Sequence, residues 1–127
     1  MEKTVFVVDD VDSNLMIVKN ALKDAFRVIT IGSAEKLFSL LLAKKPDLIL
    51  LDIEMPGIDG FQVLNWLKKD RRYDNIPVIF VTSGGSAANV ARAAVYGACD
   101  FIVKPFDPVL LRKKVEHHIF RTSRIIL

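Results

Sequence analysis

Six polar residues fall at one kind of place, directly after a short apolar run. Asp9 and Asp10 follow TVFVV, Asp52 follows LILL, Thr82 and Ser83 follow VIFV, and Lys104, with Pro105 behind it, follows FIV. Three carboxylates brought together are an electrostatic problem. Like charges about 4 Å apart repel by roughly 4 kcal/mol at an effective dielectric near 20. Such a cluster raises its own pKa values or recruits a cation. Oxygen ligands without histidine or cysteine suit a hard ion, and Mg²⁺ binds through one or two carboxylates while sharing phosphate oxygens with its substrate. Lys104 adds a fixed positive charge and Thr82 a hydroxyl donor. Together they suit a phosphoryl group held beside Asp52, by positioning and charge neutralisation. A carboxylate can itself accept that group as an aspartyl-phosphate.

The elements that must position these residues are legible as well. Five apolar runs, at 4–8, 28–31, 48–51, 78–81 and 101–103, are β-branched or aliphatic almost throughout and lack the alternation of a half-wet strand. Parallel strands covered on both faces read this way. Helical periods lie between them. Leu15, Val18 and Leu22 form a stripe over 13–25, and Ser33 stands as an N-cap before Ala34, Leu37, Phe38, Leu41 and Leu42. Phe61, Leu64 and Leu67 mark a third helix, and an alanine-rich fourth spans 87–96 with Gly97 as its stop. Asp107 and Pro108 open the last helix, which carries Val109–Leu111, Val115 and Ile119. Five βα units predict an open, doubly wound α/β sheet whose site lies beyond the carboxyl ends of the strands. Only the second strand ends without chemistry, in Gly32 and Ser33.

At 127 residues, 51% hydrophobic and 26% charged, the chain fits one globular domain. No apolar run is long enough to span a membrane or serve as a secretory signal, and the single cysteine, Cys99, has no internal partner. A cytoplasmic protein is expected. The net charge of +3 is concentrated at the end of the chain, in Arg112, Lys113, Lys114, Arg121 and Arg124. That stretch reads as a solvated helix face, and it would also suit an acidic partner. With no reading helix or aromatic platform, direct nucleic-acid binding is not expected.

The ordered set Asp9-Asp10, Asp52-x-x-Met55-Pro56-x-x-Asp59-Gly60, Thr82 and Lys104-Pro105 resembles the receiver domain of a bacterial two-component response regulator, over nearly the whole chain. The resemblance implies a (βα)5 flavodoxin-like sandwich with a parallel sheet in the order 2-1-3-4-5. It implies that Asp52 accepts a phosphoryl group from a sensor histidine kinase or histidine phosphotransfer protein. Asp10 and Asp52 would bind Mg²⁺ directly with the backbone carbonyl of Glu54, and Asp9 through a water. Lys104 would pair with Asp52 and then with its phosphate, and Thr82, beside Ser83, would move to a phosphate oxygen. The bond before Pro105 would be cis. The output face would be the fourth helix, fifth strand and fifth helix, near 87–96, 101–103 and 107–121, where a second protomer or an output domain could dock. Residues 1–123 would form the receiver, and 124–127 a tail or the start of a linker. Beyond magnesium-dependent self-phosphorylation and self-dephosphorylation, the resemblance implies no enzyme.

Three positions depart from or tune the pattern. The aromatic switch position is Phe101, without a tyrosine hydroxyl; plain core packing is its other reading. Gly84 and Gly85 follow Thr82 and Ser83, and Glu54 adds negative charge near the site. His117 and His118 read as surface or interface histidines, Cys99 as a small near-core residue, and Trp66 and Tyr96 as packing on or near helix surfaces. Two other functions remain open at this level. One is a receiver used only for interaction. The other is a haloacid-dehalogenase-type phosphohydrolase, for which Asp52-x-Glu54 is a partial match that lacks a later acidic pair and a cap.

Overall fold

The computed structural model describes residues 2–84 and 87–121. Gly85 and the end of the chain, where a tail or linker is expected, lie outside the described residues. The elements alternate throughout: β1 (Thr4–Val8), α1 (Asp12–Leu22), β2 (Arg27–Ile31), α2 (Ala34–Ala43), β3 (Leu48–Asp52), α3 (Gly60–Lys69), β4 (Val78–Thr82), α4 (Ala87–Val95), β5 (Asp100–Val103) and α5 (Pro108–Ile119). All sheet pairings are parallel and the strand order is β2-β1-β3-β4-β5, the expected doubly wound fold.

The apolar runs become strands because both of their faces are covered. Every residue of β1, β3 and β4 is buried. Alternate side chains point to opposite faces, so Phe6, Val8, Ile49, Leu51 and Phe80 pack beneath α2 and α3 with Leu37, Leu64 and Leu67. Val5, Val7, Leu48, Leu50, Ile79 and Val81 meet Leu15, Val18, Leu22, Leu111 and Val115 of α1 and α5. The edge strands depart from the continuous-burial reading, since β2 and β5 each bury one residue fully.

The helix caps follow the residue chemistry. Ser33 Oγ accepts from Lys36 N–H (3.2 Å), Asp59 Oδ1 from Phe61 N–H (2.9 Å), and Asp107 Oδ1 from Val109 and Leu110 N–H. Gly97 ends the α4 segment at φ +100, a left-handed conformation that suits glycine. The first helix stops at Leu22, short of residue 25, where the chain turns to bury Phe26.

Three readings are corrected. Leu42, assigned to the buried stripe of α2, is 75% exposed, because Ala34, Leu37 and Leu41 define the packed face and Leu42 lies one residue round from it. Val109 and Leu110 are likewise exposed, leaving Leu111, Val115 and Ile119 as the inner stripe of α5. His118 is not a surface histidine. It occupies the buried stripe, its Nε2 2.9 Å from Asp100 Oδ2, while His117 stays exposed. Cys99 is half-buried, and burial pushes its thiol up to about 11, which makes it a poor nucleophile at neutral pH. Trp66 is exposed at a helix surface and Tyr96 is half-buried. Among the described residues, no helix is long and apolar enough to cross a membrane.

Candidate functional site

The site is built by register. Val8 is level with Leu51, so Asp9 and Asp52 leave neighbouring strands side by side. Asp52 is level with Val81 and Thr82 with Val103, which brings Thr82 and Lys104 to the same end of the sheet. Backbone ladders continue past the strand ends: Asp9 N–H donates to Ile31 O (3.0 Å), Ile53 N–H to Val81 O (3.1 Å) and Lys104 N–H to Thr82 O (2.8 Å). The reactive groups therefore stand on ordered backbone.

Behind Asp52 the chain must turn and re-enter as a helix. Ile58 N–H returns to Met55 O (3.2 Å), with Pro56 and a positive-φ Gly57 at the two central positions, the residue pattern of a type II turn. Gly60 then opens α3 against the strand exit. A Cβ there would lie 2.7 Å from Ile53 Cα, so only glycine lets the helix start so close to β3.

Asp9, Asp10 and Asp52 converge, their carboxylate ligand atoms all lying within 4.8 Å of one another. Asp9 and Asp52 are buried and Asp10 is exposed. Lys104 Nζ lies 2.8 Å from Asp52 Oδ2 and 3.4 Å from Asp9 Oδ2, and the Lys104–Pro105 peptide is cis. Asp52 Oδ1 accepts from Glu54 N–H (2.9 Å), and Asp9 Oδ1 from Val11 N–H (2.9 Å). Burial raises the Asp52 carboxyl, with the Asp9 charge adding to it, against the opposing pull of Lys104 and the Glu54 N–H. Burial also penalises the Lys104 ammonium, yet Asp52 and Asp9 more than compensate and raise its pKa. The balance is one cation against three carboxylates, with oxygen donors alone and no nitrogen or sulfur ligand among the described residues. That donor set fits a hard divalent cation such as Mg²⁺.

The other sequence-marked residues sit around this centre. Thr82 is buried, and its hydroxyl donates to Glu54 Oε1 (3.0 Å). Ser83 N–H donates to the same oxygen (2.6 Å), and Ser83 Oγ–H to Glu54 Oε2. Gly84 N–H reaches Thr82 Oγ1 (3.3 Å). These bonds, chiefly those from Ser83, hold the Glu54 carboxyl below the usual range. Phe101 is half-buried beneath Lys114, whose Nζ lies 4.7 Å from the ring centroid. The structure thus gathers Asp9, Asp10, Asp52, Thr82, Ser83 and Lys104 at one sheet edge. Sequence reasoning missed the side chain of Glu54, expected only to lend a carbonyl and a charge. An acid two residues beyond Asp52, facing a Thr-Ser pair on the next strand, was the available signal. It missed Asp100 too, whose carboxylate takes Lys114 Nζ (3.0 Å) as well as His118.

The family model for the response regulator receiver domain matches residues 5–116. This chain belongs to the response regulator receiver family. The receiver is 33% identical over 121 residues to the transcriptional regulatory protein YvrH of Bacillus subtilis, covering 94% of this chain and 50% of that protein. It is 34% identical over 116 residues to the response regulator PleD of Caulobacter vibrioides, covering 91% of this chain and 26% of PleD. Among solved structures, the chemotaxis response regulator CheY4 of Vibrio cholerae superposes with a TM-score of 0.86 at 25% identity, covering 93% of this chain and 99% of that one. The receiver spans half or less of the length of YvrH and PleD. As a family member it is a phospho-accepting module of two-component signalling.

Proposed function

We propose that Asp52 is the phosphoacceptor, taking the phosphoryl group from a phosphohistidine of a sensor kinase or phosphotransfer protein. One observation carries this reading: Asp52 is the buried carboxylate shared between Lys104 and the Asp9–Asp10 pair. A carboxylate oxygen of Asp52 forms the O–P bond as the N–P bond of the donor breaks, and the freed imidazole nitrogen carries away the electron pair. Asp9, Asp10 and Asp52, with the Glu54 carbonyl, would hold Mg²⁺, which supplies charge neutralisation to the transferring group. Lys104 gives up part of its pairing with Asp52 to meet a phosphoryl oxygen, and the Thr82 hydroxyl and Ser83 meet another. No further catalysis is assigned to the receiver beyond its own phosphorylation and dephosphorylation.

The output face is α4, β5 and α5. Val95, Val103 and Leu110 stand exposed there, apolar surface suited to a second protomer or an output domain, with Arg112 and Lys113 beside it for acidic groups. Phe101 lies within this face, so a phosphoryl group drawing on Thr82 and Lys104 has a short route to it. The receiver unit is assigned to 1–123, acting in the cytoplasm, without membrane or nucleic-acid contacts of its own. The test is intact mass and amide exchange with a small phosphodonor or beryllofluoride, with and without Mg²⁺, on wild type and Asp52→Asn. Magnesium-dependent modification lost in Asp52→Asn, with altered exchange around 82–106, is the expected result. A receiver that stays unmodified with Mg²⁺ present would instead act by interaction alone.

A further inference from the structure

The Glu54 carboxylate is placed oddly for a residue whose charge sits two positions from a phosphoacceptor. An exposed glutamate ordinarily faces water. This one turns across to the β4 end and takes three donors: the Thr82 hydroxyl at 3.0 Å, the Ser83 N–H at 2.6 Å and the Ser83 hydroxyl. A carboxylate and a phosphoryl group are both oxyanions that seek hydroxyl and amide donors. The donors nearest the phosphoacceptor on β4 are therefore already spent on an anion belonging to the receiver itself.

We propose that Glu54 is a positioning residue that acts as an internal competitor for the phosphoryl group, holding Thr82 and Ser83 in the unphosphorylated arrangement until an anion on Asp52 displaces it. The proposal rests on Asp52 as phosphoacceptor. Glu54 touches neither the donor molecule nor the reacting phosphorus; it acts through Thr82 and Ser83. Two costs attend phosphorylation in consequence. The Glu54 carboxylate must give up its three donors to the phosphoryl group and return to water, and its negative charge must coexist with, or swing away from, the new one. Because Glu54 stands two residues beyond Asp52, held by the Glu54 N–H to Asp52 Oδ1 bond of 2.9 Å, the competitor is always at hand and its effective concentration is high. The population of the active arrangement at a given anion affinity is set by this competition.

The experiment measures beryllofluoride affinity in the presence of Mg²⁺, on wild type, Glu54→Ala, Glu54→Gln, a Thr82→Ala/Ser83→Ala double variant, and that double variant carrying Glu54→Ala. Glu54→Ala is expected to bind about tenfold more tightly than wild type, and its Ser83 amide is expected to shift in NMR spectra even without beryllofluoride. In the double-variant background the gain should fall to threefold or less, because both hydroxyls are gone and only the backbone N–H at position 83 remains to be contested. Glu54→Gln, which keeps an acceptor oxygen and loses the charge, should lie between wild type and Glu54→Ala. An affinity unchanged or weakened in Glu54→Ala overturns the proposal. So does a tenfold gain that survives intact in the double-variant background, since that gain would be plain charge repulsion. If neither wild type nor any variant binds beryllofluoride with Mg²⁺, the phosphoacceptor reading fails and the competitor fails with it. Binding by wild type with no change in Glu54→Ala removes the competitor alone.

Discussion

At the scale of single residues, the receiver concentrates its electrostatics at two aspartates facing opposite ends of the sheet. Asp52 is kept partly uncompensated, while Asp100, at the start of β5, is held by Lys114, the Phe101 N–H and His118. Burial works against the Asp100 carboxylate, but these partners outweigh it and its pKa is lowered. The native state therefore binds fewer protons there than the unfolded chain. The stability this supplies is present above the unfolded value of 3.8 and is lost as pH falls through the lower folded value. Asp100→Asn should cost roughly 1–2 kcal/mol at pH 7. Urea denaturation at pH 7 and pH 3 should show that deficit shrinking in acid; the same deficit at both pH values would mean the charge is not what matters. The network was only half legible in the sequence. His118 is three residues from Val115 and seven from Leu111, on the stripe that α5 buries, and that periodicity was available. What could not be read was Asp100, because a charge opening an edge strand ordinarily meets water.

At the scale of elements, the caps Ser33 and Asp107 were the legible part, since both cap by chemistry that is local to a few residues. The exposed face of α2 and the first turn of α5 were not, because an apolar residue at the margin of a stripe faces the core or the solvent according to how its helix is rotated on the sheet. Two glycines separate local from tertiary demand. Gly60 sits against Ile53 at the exit of β3, where an added Cβ would meet Ile53 Cα at 2.7 Å, whereas nothing lies within 4 Å of a Cβ at Gly32. Gly60→Ala should destabilise the receiver by about 1–3 kcal/mol through displacement of the helix start. Gly32→Ala should be neutral or stabilise by up to about 1 kcal/mol through the unfolded chain. Chemical denaturation of the two variants side by side decides this, and equal effects would remove the close-approach argument for Gly60.

At the scale of the whole molecule, the fold and the placement of the site were almost fully legible, because a parallel sheet turns strand ends into a shared edge. The contacts among the site's side chains were not, since Glu54 chooses Thr82 and Ser83 over solvent for reasons of three-dimensional proximity. With Mg²⁺ held by the three carboxylates as proposed, the whole receiver's stability would depend on divalent cation. With Mg²⁺ at about ten times its dissociation constant, linkage should add about 1.4 kcal/mol. For a domain of this size that raises Tm by about 5 °C. Differential scanning calorimetry of wild type and Asp10→Asn should show the increase in the first and most of it gone in the second; an equal rise in both would place the cation elsewhere. The mixed burial of the edge strands has a consequence for aggregation. The fully buried strands β1, β3 and β4 are all interior, while the flanks are β2, with Arg27 and Thr30 exposed, and the short β5. Segments such as VIFV carry the β-propensity and low charge of sticky strands, and they meet water only if a flank peels away. Lys114 and His118, by fastening the start of β5 to α5, thereby guard the chain against self-association as well as against unfolding.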